Sequence, residues 1–292
     1  MRHRVLSSKR VLIVGCGDVG MRTAKLLMPY YRVFGVVRST DAAISLRAAG
    51  ITPVLANLDD KRSLTRIAGL TDTVLHFAPP PGAGETDTRT RHLLAVLARH
   101  GVQRLIYIST SGVYGDCAGS WIDETRTPHP VNARALRRVD AEQQVRQFAR
   151  QTGARVSILR VPGIYAAERL PIERLHRGTP VLCAEDDVYT NHIHADDLAR
   201  IAVAALYRGA SCRVYHASDD SELKMGAYFA QVAVAYDLPI PVVISREQAL
   251  ARLSAIQMSF MSESRRMLNQ RMKRELRVRL RYATVGDFLA GV

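Results

Sequence analysis

Residues 11–20, VLIVGCGDVG, constrain this chain more than any other ten positions. An apolar, β-branched run breaks into Gly15, Gly17 and Gly20, and Ala24 completes the pattern G-x-G-x-x-G-x-x-x-A. Such spacing describes a strand, a tight turn and a helix built around a pyrophosphate. Gly15 permits the turn, and Gly17 lets the backbone approach phosphate oxygens with no Cβ in the way. Gly20 and Ala24 let the helix pack closely on the strand. Backbone amides around Asp18 and Val19, with the positive end of the helix dipole, then face the anion.

Further along, apolar runs at 32–37, 51–55, 72–77, 103–108 and 154–159 read as strands. Helical patterns at 40–49, 60–68, 86–100 and 132–152 separate them. This alternation predicts an α/β fold, a Rossmann doubly wound parallel sheet covered on both faces, with a small C-terminal substrate lobe. The expected division is a dinucleotide-binding domain over 1–165, completed by about 191–220 through a helix at 196–208 and a strand at 213–217. Proline-rich and irregular stretches at 166–190 and 221–292 form the lobe. APPPGAGETDT (78–88) reads as an extended surface loop. Ligands of such sheets sit at the carboxyl ends of the strands, so the loops there should line one cleft.

Composition narrows the classes. No apolar run approaches the roughly 20 residues of a membrane span, and MRHRVLSSKR lacks the apolar region of a secretory signal. A cytoplasmic protein with no membrane partner is expected. Cys16, Cys117, Cys183 and Cys212 show no disulfide or zinc spacing, and no metal site is predicted. The formal charge of +14 is almost all arginine spread along the chain, without a nucleic-acid-binding signature, so a nucleic-acid partner is not expected.

The cofactor type follows from the end of the second strand. NAD-specific sites place a carboxylate there for the ribose hydroxyls. This chain has Val37-Arg38-Ser39-Thr40, and a guanidinium with neighbouring hydroxyls suits a 2′-phosphate. NADP is therefore favoured over NAD. Asn57 and Leu58, after the third strand, are placed to meet the adenine. His76 and Ala78, after the fourth, border the nicotinamide ribose, although a hydrogen-bonded strand-end histidine is the plainer reading of His76.

At the fifth strand YISTSGVYG (107–115), followed by LRVPGIY (159–165) and NHIHADDLA (191–199), resembles the extended, nucleotide-sugar-epimerase-like short-chain dehydrogenase/reductases. The resemblance runs through RELRVRLRY (274–282). It implies a hydroxyl after the fifth strand that orients the substrate, and Thr110 matches it. It also implies a tyrosine four residues before a lysine, which together transfer a proton. Counting back from DAEQQ (140–144) puts Arg134 and Arg138 at those two positions.

An arginine stays protonated and cannot serve as the general base. Arg138 can act as a fixed cation beside the cofactor ribose, and Arg134 can hold an anionic substrate. This departure resembles the atypical branch of the family, which keeps the dinucleotide fingerprint but lacks parts of the catalytic tetrad. The remaining acid–base candidates are Tyr114 and Tyr165, each with a packing role as its alternative. His194, Asp196 and Asp197 read as a helix start, where capping accounts for them.

In the family two helices beside the sheet, here 86–100 and 132–152, make a homodimer. The basic segment Ser264–Tyr282 predicts a helix to about Leu276, with Arg265, Arg266 and Arg271 as candidates to reach the cleft. Two functions fit these features. One is an NADP-dependent oxidoreductase or epimerase/dehydratase acting on a small anionic, sugar-nucleotide-like molecule. The other is an NADP-binding sensor or scaffold without hydride transfer.

Overall fold

The computed structural model describes residues 9–292. Seven strands form the central sheet: β1 (Arg10–Val14), β2 (Arg32–Val37), β3 (Thr52–Leu55), β4 (Thr73–His76), β5 (Arg104–Thr110), β6 (Arg155–Val161) and β7 (Arg213–His216). Their order is β7-β6-β5-β4-β1-β2-β3, and every pairing is parallel. Chain order therefore reverses at β1, which lies between β2 and β4. In a sheet of this kind the reversal opens a crevice beyond the strand ends, where the two flanking connections leave on opposite faces.

The alternation within β1 shows how the layers arise. Val11 and Ile13 join one core with Ala24 and Leu27 of helix α1 (Asp18–Leu27), Leu46 of helix α2 (Thr40–Ala48), and Leu198 and Ile201 of the helix Ala195–Arg208. Leu12 and Val14 point the opposite way. They join Leu93 and Leu97 of helix α3 (Thr88–Leu97) and Val145 and Phe148 of helix α4 (Ala133–Thr152). Each fully buried side chain of this size contributes about 1.5–3 kcal/mol of transfer free energy. A strand apolar on both faces can be stable only as the centre of such a sandwich.

A further apolar core gathers residues from Tyr165 onward, including Leu175, Val181, Phe229, Val232, Ile244 and Val285. It stands beyond the carboxyl ends of β5 and β6. Two local expectations differ from what is observed. Residues 60–68 form only a short 3-10 helix, Ser63–Ile67. The basic segment is not one helix: Arg266–Met267 pairs in parallel with Trp121–Ile122, and helix is confined to Gln270–Leu276. The reason is tertiary. The amides of Arg266 and Leu268 donate to Ser120 and Ile122 carbonyls, and the Arg266 guanidinium lies over the rings of Trp121 and Tyr189. Those contacts outweigh a four-residue apolar period. Met272 and Leu276 still reach the core as the period predicts.

Helix α4 is held to the sheet by an ion pair. Glu142 accepts from Arg160 Nε and Nη2 at 3.0 and 2.7 Å and from the Ser109 hydroxyl at 2.7 Å, with both charged side chains buried. Removing one partner strands the other charge away from water. Glu142→Ala should therefore destabilise the fold by ~3–5 kcal/mol, read from urea unfolding midpoints. A loss below about 1 kcal/mol would show that the pair does not anchor the helix.

Candidate active site

The glycine turn has the geometry that its spacing implies. Gly15 sits at φ +101°, and a Cβ there would lie 2.5 Å from the Ala78 amide nitrogen. The close approach arises because the Phe77 and Ala78 amides both donate to the Val14 carbonyl, at 2.8 and 2.9 Å. A Cβ on Gly20 would lie 2.5 Å from the Gly15 carbonyl oxygen. Gly17 differs from both: nothing lies within 4 Å of where its Cβ would be. It precedes α1 with no side-chain cap on the helix. The cradle therefore offers uncapped amides with open space before them, and it fits a dinucleotide diphosphate.

Asp18 enters this cradle through its amide alone. Its carboxylate is taken by Arg22 Nε at 2.6 Å and Arg169 Nη1 at 3.2 Å. Val19 turns its side chain into the core. Cys16 is a space-filler, and burial pushes its thiol up to about 12. These differences separate the glycines experimentally. Gly17→Ala should leave the thermal midpoint within 2 °C of the parent while raising the dinucleotide Kd more than about tenfold. Gly15→Ala should lower stability itself. Equal stability loss in both would refute this assignment of their roles.

The remaining positions of the expected cofactor path are more varied. Arg38 is exposed at the end of β2, and its charge helps hold the Asp59 carboxyl below its usual range after the larger effect of Arg89. The Ser39 hydroxyl accepts from the Ala42 amide as the cap of α2. Asn57 Oδ1 accepts from the Asp59 amide at 3.1 Å, which leaves one lone pair for a further donor, and Leu58 beside it is buried. One reading needs correction. His76 does not border a ribose. It is fully buried, with Nε2 donating to Thr90 Oγ1 at 2.9 Å, while that hydroxyl donates to Asp87. Ala78, packed against Gly15, does lie at the crevice.

Beside this crevice opens a cleft of about 950 Å³. Thr110, Arg134, Arg138 and Tyr165 all line it, so four of the five residues singled out for chemistry come together. Thr110 ends β5, and its hydroxyl accepts from the Gly112 amide at 3.2 Å. One turn of helix separates Arg134 from Arg138, which sets both on the cleft side of α4. Arg138 Nη1 donates to the Ile108 carbonyl at 2.8 Å and to the Tyr107 hydroxyl at 3.1 Å, which fixes the guanidinium at the strand end. Arg134 is exposed at the rim. Tyr165 is almost wholly buried in the wall, and burial followed by the nearby Asp219 raises its phenol well above its ordinary value.

Tyr114 is the exception. It is fully buried and does not line the cleft. Its hydroxyl accepts from Arg160 Nη1 at 2.7 Å and pairs with His216 Nε2 at 2.5 Å. His216 Nδ1 faces the Leu268 carbonyl at 2.9 Å, which can only accept, so Nδ1 carries the ring proton and Nε2 accepts the hydrogen bond that the phenol donates. Burial pushes Tyr114 up to about 12. It is a structural tie between β5, β6, β7 and the C-terminal segment.

The helix-start reading of 194–197 agrees with the contacts. His194 Nδ1 accepts from the Asp196 amide, Asp196 pairs with Arg22, and Asp197 accepts from the amides of Arg281 and Tyr282. Of the three basic candidates, Arg265 lines the cleft, held by Glu263 and the Gly115 carbonyl. Arg266 is occupied by aromatic rings and Arg271 by Glu124.

Among the cleft residues that escaped the sequence reading are Arg137, Arg174, His192 and Tyr228. Arg137 and Arg174 carry no motif. His192 has one signal, since it lies two positions before His194 on the same side of a strand.

Buried histidines give the protein an acid-sensitive fold. Burial pushes His76 and His216 down to about 3 and His192 to about 4, against 6.5 when unfolded. The unfolded chain binds more protons between pH 6.5 and 3, so stability should fall as pH drops through that window. Asp219, pushed up to about 7 by burial, acts in the opposite direction, as do Asp87, Glu124 and Asp187, which burial also raises; His194, lowered by burial, adds to the three histidines, whose shifts dominate between pH 7 and 5. The urea midpoint should be lower at pH 5 than at pH 7; a higher midpoint at pH 5 would contradict this.

With this geometry in place, similarity to known proteins fixes the family. Residues 11–217 match the NAD dependent epimerase/dehydratase family, and the chain belongs to it. A solved structure of a functionally unknown conserved protein from Silicibacter pomeroyi is 28% identical and superposes with a TM-score of 0.80, covering 97% of this chain and 98% of that one. The UDP-glucose 4-epimerase of Thermotoga maritima, solved with UDP-glucose, shares the fold at 18% identity and TM-score 0.78, over 96% of each chain. A probable UDP-arabinose 4-epimerase of Arabidopsis thaliana is 28% identical over 170 residues, 50% of this chain and 41% of that protein. Among the described residues, no helix is long and apolar enough to cross a membrane.

Proposed function

We propose that this chain is an NADP-dependent oxidoreductase or epimerase/dehydratase whose substrate is a small anionic, nucleotide-sugar-like molecule. The observation that carries this reading is the open glycine cradle next to a cleft walled by Arg134, Arg137 and Arg138. When bound, the nicotinamide supplies a hydride acceptor and donor. The amides of Asp18 and Val19 hold its diphosphate, Arg38 its 2′-phosphate, and Arg138 its ribose. Thr110 orients a substrate hydroxyl or carbonyl, and Arg134 at the rim holds substrate charge. Tyr165 is the acid–base candidate in the wall. Residues 166–190 and 221–292 act as the substrate lobe.

Two arginines in place of a tyrosine and a lysine change what the site can do. They stabilise a negative oxygen without exchanging protons with it. That same feature favours the second reading, a dinucleotide-binding sensor without hydride transfer. Stoichiometric mixing of the NADPH-loaded protein with UDP-4-keto sugars separates the two. Loss of the reduced-nicotinamide absorbance supports the enzyme, and its persistence across the panel supports the sensor.

The cofactor assignment has its own test. Charge-assisted hydrogen bonds contribute about 1.5–3 kcal/mol each. Arg38→Ala should therefore raise the NADPH Kd about tenfold or more and the NADH Kd less than about twofold, by fluorescence titration. Equal losses would refute a 2′-phosphate site at Arg38.

A further inference from the structure

Among the described residues six arginines line the cleft, against a single acidic side chain, Glu263. Arg265 takes that glutamate, and Arg169 pairs with Asp18 at the start of α1. Arg137, Arg138 and Arg174 make no ion pair among the described residues. Arg137 is the most deeply placed of these three, at 6% exposed. Its Nη1 donates to the carbonyl of Gly84, in the loop that follows β4 and runs on from Ala78 at the crevice. Nε is enclosed and has no partner. Nη2 has no partner among the described residues either, but it is not enclosed, so its N–H bonds are left to the cleft that Arg137 lines.

A guanidinium keeps its proton at any working pH, and a buried charge without a counter-ion is costly. The Gly84 carbonyl does not account for that charge, because a neutral amide donates to a carbonyl as well. Helix α4 deepens the imbalance. Arg134 stands in its first turn, no acidic residue does, and the positive end of the helix dipole lies there too. The missing counter-ion has to come from a ligand.

We propose that Arg137 binds an oxyanion at the reacting end of the substrate, a carboxylate or phosphate on the sugar-like part itself. The inference rests on the nucleotide-sugar-like reading of the cleft and narrows the substrate class to molecules that are acidic at both ends. Position decides which end Arg137 serves. It follows α4 beside Arg138, which is fixed at the end of β5, and it reaches the loop beyond β4. Arg174 comes instead from the lobe, its guanidinium 4.6 Å over the Phe229 ring. A ligand lying along the cleft thus meets an uncommitted cation from each side. Arg137 moves no proton; it selects an acidic sugar over a neutral one.

The test is calorimetric titration of the full chain, without dinucleotide, with glucose 1-phosphate, glucuronic acid 1-phosphate and glucose 1,6-bisphosphate. The three share one anionic end and carry a hydroxyl, a carboxylate or a phosphate at the other. The parent should bind one of the two doubly acidic sugars about tenfold or more tighter than glucose 1-phosphate, and which one it prefers identifies the oxyanion. Arg137→Met should cut that preference below about twofold and leave the glucose 1-phosphate Kd within about twofold of the parent. Its ligand-free thermal midpoint should equal or exceed the parent's, since the stranded charge is gone. If the methionine variant does not fold, Arg137→Gln, which keeps an N–H donor, supplies the same ratio. The proposal is overturned by a parent with no preference for the acidic sugars or by a preference that survives the substitution. It is equally overturned if both variants lose more than about 5 °C of thermal midpoint, which would make Arg137 a structural tie. A preference that depends on Arg137, with UDP-glucuronate bound no more tightly than glucuronic acid 1-phosphate, would keep the subsite and defeat the nucleotide part of the proposed function.

Discussion

The close contact between the Gly15 turn and the Phe77–Ala78 backbone is the constraint on which the rest of the site depends. It locks the end of β1 against the end of β4, the point where strand order reverses. With no Cβ at 15 or 20, the turn, the helix and the next loop share one small volume, and α1 starts at the mouth of the crevice. A side chain at either glycine would overlap backbone atoms 2.5 Å away and displace the amides that face a phosphate oxygen. The apolar layers above and below β1 exist for stability, but they also make this geometry rigid.

A second level of order is polar. Glu142, Arg160, Ser109, Tyr114 and His216 form a buried chain of hydrogen bonds from α4 through β5 and β6 to β7. Its His216 end is fixed by Glu124 and Leu268. Because every member needs a partner, displacement of any one strand end exposes an unsatisfied charge or dipole. The chain runs behind Thr110 and Arg138 rather than through the cleft. It therefore sets where those residues stand without taking part in what they bind, and Tyr114 belongs to it for that reason.

The sheet was legible because most strands are short apolar runs closed by a glycine or a polar residue, as at Gly15, Arg38, Ser109 and Arg160. The family resemblance marked Thr110, Arg134, Arg138 and Tyr165, which stand at strand ends or on one helix face. Where the reading failed, long-range contacts decided. His76 looks like a strand-end ligand until Thr90 of α3 accepts its hydrogen bond, with the Asp87 cap accepting in turn from the threonine hydroxyl. The period from Ser264 to Leu276 reads as one helix until Trp121–Ile122 supplies a strand partner. Tyr228 carries no motif: it meets His192 in the cleft wall only because separate segments fold over the strand ends.

The central claim is that uncapped amides at the start of α1 grip a dinucleotide diphosphate while Arg38 grips its additional phosphate. A crystal structure of the complex with NADP tests it most directly. The diphosphate oxygens should lie within hydrogen-bond distance of the Asp18 and Val19 amides, with the 2′-phosphate on the Arg38 guanidinium. A diphosphate seated elsewhere, or crystals that show no dinucleotide at saturating concentration, would contradict the account.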